Sequence, residues 1–173
     1  MTRFCYLFLF TFAAVFGEVL AESFGVRIML LAPVVFYAAY VFGSASGTAV
    51  AFFGGCVLDF CLGATNPWTA FFLLLIVAFA IIWLHQTEAD SLSLLIVPGA
   101  ILPFLAQFPP AVIQGGFRWE SILDAGADAV IAAILSALLF PVAIMVLDWI
   151  GAGLSLELFA DTRERLRSRQ RRN

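Results

Sequence analysis

The run Phe71–Phe72–Leu73–Leu74–Leu75–Ile76–Val77 lies within an uncharged stretch from Pro67 to Leu84, and comparable apolar stretches recur along the chain. Such runs leave few folds open. A soluble core cannot absorb them all, because too little polar surface would remain to face water. A helix of roughly 20 mostly apolar residues crosses about 30 Å of hydrocarbon. A membrane barrel strand instead alternates apolar and polar positions over about ten residues, and these runs do not alternate. With 63% hydrophobic and 12% charged residues and a mean hydropathy of +1.03, the chain reads as an all-α integral membrane protein. In lipid each backbone amide and carbonyl must be satisfied within the segment, which a helix achieves unaided.

The 173 residues accommodate about six spans with short connections. The runs place them at about Phe4–Leu20, Arg27–Phe42, Ser44–Leu62, Pro67–Leu84, Leu92–Val112 and Ala125–Leu147. The second is the shortest, and an incomplete crossing is one reading of it. The fifth carries Pro98, Pro103, Pro109 and Pro110. Each proline removes an amide donor and crowds the preceding turn, so this segment is expected to be kinked or broken and packed inside. Ser121 followed by Asp124 resembles an N-capping box opening the last helix. Trp68, Trp83, Trp119 and Trp149 fall near span ends, where indole favours the interface. The organisation expected is one helical membrane domain over residues 1–153 and a basic tail over 154–173. Arg3, the apolar run to Phe16 and Val19–Leu20–Ala21 resemble a secretion signal, but an uncleaved first span is the simpler reading.

Charge sets the orientation. There is no lysine, and six of the nine arginines (Arg163, Arg165, Arg167, Arg169, Arg171 and Arg172) occupy the last eleven residues. By the positive-inside rule this tail is cytoplasmic, and six spans put Arg3 and the N-terminus on the same side. The tail can attract anionic lipid, although a topology signal is the favoured role. Nothing points to nucleic-acid binding.

Groups able to do chemistry are scattered. The lone His85 excludes a Ser-His-Asp triad or a multi-histidine zinc site of the usual kind. Cys56 and Cys61 project from different faces of one helix, and apolar packing is expected of them and of Cys5. Asp124 and Asp128 share a helix face at four-residue spacing and suit a helix N-terminus, an ion or a partner's arginine being the alternative; Glu18 and Glu22 show the same spacing at the outer end of the first span. Asp148 is expected at the inner boundary, snorkelling or pairing with the tail. Asp59 is the costly charge of the third span. Two readings stay open for it: organising the next turn or capping the fourth helix through backbone amides, or binding a partner or ligand. No catalytic residue, metal site or cofactor is expected.

The third span is rich in small residues, with Gly43, Gly47, Ala51, Gly54 and Gly55 letting another helix approach closely. This favours a central third span and a more lipid-exposed fourth. The stretch Gly47–Thr48–Ala49–Val50–Ala51–Phe52–Phe53–Gly54–Gly55–Cys56–Val57–Leu58–Asp59–Phe60, then Gly63 and Pro67, resembles the rod shape-determining protein MreD family. That family shows a glycine-spaced helix ending in a Leu-x-Asp-like step, then a Gly/Pro turn and another apolar helix. The chain departs from it at Asn66–Pro67–Trp68, where a Pro-Leu-Gly-like step is more usual, and lacks basic residues after the fourth span. The layout matches over nearly the whole chain, the motif over about Ala32–Phe79.

The resemblance implies a non-enzymatic component of the bacterial cytoplasmic (inner) membrane. It would bind the membrane-anchored MreC and help organise lateral peptidoglycan synthesis with the elongation transpeptidase, the glycosyltransferase and the actin-like filament. It also implies a six-helix bundle similar to the substrate-binding subunits of energy-coupling transporters. Gly47, Gly54, Gly55, Asp59, Gly63 and Pro67 become the partner-binding or structural candidates, with Asp59 matching the family's aspartate. The alternative is the substrate-binding membrane subunit of a small-solute, vitamin-type transporter. An intramembrane lipid enzyme ranks last, since the sequence offers only scattered carboxylates and one interfacial histidine.

Overall fold

The computed structural model describes residues 2–26, 28–63, 68–86, 96–102 and 119–156, together with positions 104, 108, 112, 159 and 162. Every regular element among them is a helix: α1 (Thr2–Ser23), α2 (Leu31–Val41), α3 (Ser44–Cys61), α4 (Trp68–Gln86), α5 (96–102) and α6 (Trp119–Gly153). Helices α1, α3 and α6 are long and apolar enough to cross a membrane. Their outward surfaces fit that medium. Phe4, Phe8, Phe12 and Phe16 form an exposed ladder along α1, with Phe4 at 78% exposure, and Phe53, Phe60, Leu138 and Met145 also face outward. A water-soluble monomer rarely shows contiguous apolar surface of this extent. The chain is thus of the helical membrane type.

Side-chain contacts define two ends of the bundle. At one, the Tyr6 hydroxyl of α1 donates to the Leu147 carbonyl of α6 at 2.6 Å, and the Tyr37 hydroxyl of α2 donates to Asp148 Oδ1 at 2.9 Å. At the other, the Leu31 amide that opens α2 donates to Glu18 near the end of α1. Successive helices alternate in direction between these ends. The start of α1 and the finish of α6 therefore lie at the same end. Gly99 of α5 sits against Ala137 and Phe140, and Phe108 reaches Gly126, so the segment through 99 and 108 runs antiparallel to α6.

The sequence placed the small-residue third span at the centre, and the structure corrects this. Ten of the eleven residues of α2 are buried, and Leu31, Ala32, Val35, Phe36 and Ala38 are wholly enclosed. Helices α1, α3, α4 and α6 all pack on it. At 1.5 Å per residue α2 measures about 16 Å, too short to cross the hydrocarbon alone, and it is shielded by its neighbours. Its tight seams depend on α3. A Cβ added to Gly47 would fall 2.7 Å from Ala39 Cα, and one on Gly54 would meet Leu31 Cδ2 and Thr11 Cγ2 at 3.0 Å. The glycines of α3 thus line the wall against α1, α2 and α4, while Phe52, Phe53, Val57 and Phe60 on its other face are exposed. The fourth helix is less peripheral than expected. Ala70, Leu73, Ile76, Val77 and Ala80 are buried, and Phe71, Leu75 and Ile82 face out.

Boundaries differ most in the last helix, which extends from Trp119 rather than from Ala125 and runs 35 residues to Gly153. Ser121 lies inside it, so the capping box expected at Ser121 and Asp124 does not open the helix. Ala125, Ala129, Ala132, Ser136, Phe140, Ile144, Leu147 and Gly151 form one buried stripe along it, with the three- and four-residue steps of a packed helix face. Asp124 and Asp128 are exposed. Pro141 is accommodated inside the helix. Trp119 and Trp149, at 74% and 79% exposure, stand near its two ends. Cys5 and Cys61 are exposed and Cys56 is half-buried, so Cys5 and Cys61 do not fill the interior as expected.

Candidate functional site

Three of the candidate glycines and Asp59 converge along the α3 seams. Gly55 faces the start of α4, and an added Cβ would fall 2.7 Å from the Ala70 amide nitrogen and 2.9 Å from its Cβ. One helical turn further, Asp59 is 6% exposed. Its Oδ2 accepts the Thr69 amide at 3.1 Å and the Ala70 amide at 3.4 Å. Thr69 and Ala70 are the second and third residues of α4. These are the amides that a helix's own N-cap side chain usually satisfies, and here a carboxylate from the preceding helix takes that place. The close approach at Gly55 brings the α4 backbone within reach of Asp59.

The α3 terminus completes the hairpin. The Leu62 amide bonds the Leu58 carbonyl at 2.9 Å and the Gly63 amide bonds the Phe60 carbonyl at 3.2 Å. Gly63 has a φ of +67°, the left-handed conformation that ends a helix and that glycine adopts without a Cβ penalty. Pro67 lies outside the described residues, as do Arg27, Pro103, Pro109, Pro110 and Arg118. His85 lies within α4, and its side chain is outside the described set.

The sequence missed a second carboxylate of the same kind. Glu18 is 7% exposed, and its Oε1 accepts the Leu31 amide. Leu30, the residue before α2, has no side chain that can cap it. Glu18 supplies the missing acceptor from α1, while Pro33 lacks an amide that would need one. Its partner at four-residue spacing, Glu22, is exposed. The readable signal was a glutamate followed within one span length by a helix start without Ser, Thr, Asp or Asn. Glu18 and Asp59 both bring a carboxyl oxygen to a helix N-terminus, where the first amides have no partner within their own helix.

At the opposite end Asp148 Oδ1 accepts both the Tyr37 hydroxyl and, at 2.8 Å, the Phe159 amide. Tyr6 and Phe42 pack by their rings against Tyr37, and the Arg3 guanidinium stands 5.9 Å from the Phe42 ring centre. This cluster ties α1, α2 and α6 to the start of the tail. It too is a set of backbone and hydroxyl contacts. Among the described residues no three His, Cys, Asp or Glu side chains are grouped so as to hold a metal ion.

The Asp59 contact predicts its own stability effect. Asp59→Ala leaves two amides at the start of α4 without their acceptor, an expected loss of about 1–3 kcal/mol. Asp59→Asn keeps a carbonyl acceptor and is expected to recover part of it. SDS-induced unfolding in mixed micelles, followed by circular dichroism, reads both, and an unchanged Asp59→Ala midpoint would show that the contact is inconsequential.

Compared with known proteins, the chain matches no family model, no curated protein and no solved structure.

Proposed function

We propose that this chain is a non-enzymatic, multi-pass component of the bacterial cytoplasmic membrane that acts as an MreD-like scaffold in cell elongation. In this reading it forms a six-span bundle with both ends on the cytoplasmic side. It binds an MreC-like anchored protein and helps organise the transpeptidase, the glycosyltransferase and the actin-like filament that build the lateral wall. The observation that carries the reading is the α3–α4 hairpin. The glycine-spaced helix, Asp59 and Gly63 that resemble the MreD family form one packed unit, with Asp59 engaged in holding the next helix. Glu18, Asp59 and Asp148 are each bonded to protein backbone, an economy suited to a rigid scaffold whose outer helix surfaces meet other proteins. The arginine tail supports the orientation.

The test is genetic and biochemical. Depletion in the source bacterium is expected to turn rods into spheres, and the tagged protein is expected to co-purify with the MreC-like protein from detergent-solubilised membranes. Normal rod-shaped growth of a clean deletion, with no such protein in the eluate, would refute the proposal.

A further inference from the structure

Beyond α6 the chain turns back onto the end of the central helix. The Ser155 amide donates to the Ala152 carbonyl at 3.1 Å, and the Leu156 amide donates to the Gly151 carbonyl at 3.1 Å. This pair of bonds is the reversal that ends many helices, and its left-handed position is usually glycine. Here that position is Ser155, at a φ of 54°, the one non-glycine residue with a positive φ among the described residues. Its Cβ makes the conformation unfavourable, so the reversal is held by the contacts that follow it. Leu156 and Phe159 pack against the buried core. The Phe159 ring stacks on Tyr40 of α2 with centroids 4.2 Å apart; Tyr40 stacks on Phe36, and Phe36 meets Phe140 of α6 edge-on. The Phe159 amide donates to Asp148 Oδ1 at 2.8 Å, the oxygen that also accepts the Tyr37 hydroxyl.

The surface beneath these contacts is the end of α2 nearest water. Arg3 stands 5.9 Å from the Phe42 ring centre, and Trp149 is 79% exposed at the same end of the bundle. A guanidinium and an indole both mark the border of the hydrocarbon. At that border α2 finishes at Val41, with Tyr37 and Val41 buried and Tyr40 half-buried. We propose that Ser155, Leu156 and Phe159 form a releasable strap. Docked, it closes the end of α2 against water; undocked, it opens that end and leaves the rest of the bundle folded. Two features make it separable. Its hinge is a residue held in an unfavourable conformation, and Asp148 keeps the Tyr37 hydroxyl as a partner when the Phe159 amide leaves. The inference goes beyond the scaffold reading and needs no MreC-like partner.

The test is residue-resolved hydrogen exchange on the full chain in lipid nanodiscs, read at the last turn of α2 (Ala38 to Val41) with its first turn (Leu31 to Val34) as reference. Phe159→Ala is expected to speed exchange of the last turn about tenfold and to leave the first turn unchanged, since local opening sets the rate at each amide. Ser155→Val is the independent arm. Ser155 is exposed, so the change removes no packing, while a β-branched residue is a true outlier at positive φ. It is expected to speed the last turn about fivefold. Ser155→Gly, which takes a left-handed φ without penalty, is expected to slow it about threefold relative to the parent. Circular dichroism and gel filtration identify any variant that has failed to fold, and Ser155→Val decides the matter if Phe159→Ala is one of them. A last turn that keeps the parent rate in either folded variant would overturn the strap. An equal rise at both turns would also overturn it, because the bundle would then loosen as one body.

Discussion

Gly55→Val is expected to separate α3 from α4 and destabilise the bundle more than any other single change at the resembling motif. Even the first carbon of the new side chain would press into Ala70, at 2.7 Å from its amide nitrogen and 2.9 Å from its Cβ. Two of the atoms in its way are backbone, so no rotamer change relieves the contact, and the β-branch adds volume that must go somewhere. Overpacking of a formed core typically costs about 1–3 kcal/mol. A second loss follows here. Moving the start of α4 outward also lengthens the Asp59 bonds to Thr69 and Ala70, already 3.1 and 3.4 Å. The combined expectation is about 2–6 kcal/mol, reached by adding the cap loss to the packing cost. Gly153→Ala is the matched control, because an added Cβ there meets nothing within 4 Å and should shift stability by less than about 0.5 kcal/mol. SDS titration of both proteins in mixed micelles measures the difference. Equal midpoints would mean that the α3–α4 seam tolerates separation. In a double variant, Asp59→Ala should add little to Gly55→Val, since neighbouring changes acting on one contact are not additive.

How much of this could be read from the sequence depends on which property each feature expresses. Apolar runs mark helices because lipid compels internal hydrogen bonding, and each of the five longer helices overlaps one of the expected runs, with different ends. Hydropathy does not rank those helices from centre to edge. A residue facing lipid and one facing another helix are equally apolar, so Phe36, wholly buried, and Phe53, exposed, look alike. The glycines of α3 did signal close contact, yet they shape the wall and leave the centre to α2. That α6 already includes Trp119 was hidden for a related reason. Its first turn, carrying Glu120 and followed by Asp124, is polar on the exposed side, and polarity there resembled a loop. Asp59 stood out because a charge in an apolar span demands an explanation. Its capping of the fourth helix was one of the two readings left open, but the amides it bonds are ten and eleven residues away. Tyr6 and Leu147, 141 residues apart, gave no local sign at all. Such contacts belong to the packing of helices, and local spacing carries no record of them.

The largest effect outside the α3–α4 seam is expected at Glu18. A buried glutamate in the first membrane helix would be costly if it served nothing, and it accepts the first amide of α2. That helix is the most enclosed in the bundle, so a loosened start cannot be compensated by water. Glu18→Ala removes the acceptor and leaves a gap beside Leu30 and Leu31. The unsatisfied amide costs about 1–3 kcal/mol, and truncating a buried side chain of this size adds a cavity cost of about 2 kcal/mol. A total near 4 kcal/mol is expected in the same unfolding assay. Glu18→Gln, which keeps an acceptor oxygen but introduces an amide group needing its own partners, should fall between the two. Glu22→Ala, on the exposed side of the same helix, should stay within about 0.5 kcal/mol of the parent. Hydrogen exchange separates a local from a general effect: Glu18→Ala should speed exchange first at Leu31 and Ala32, and only later at the middle of α2. If those amides stay as protected as in the parent while the bundle remains equally stable, Glu18 is not the cap of the central helix, and its burial needs another cause.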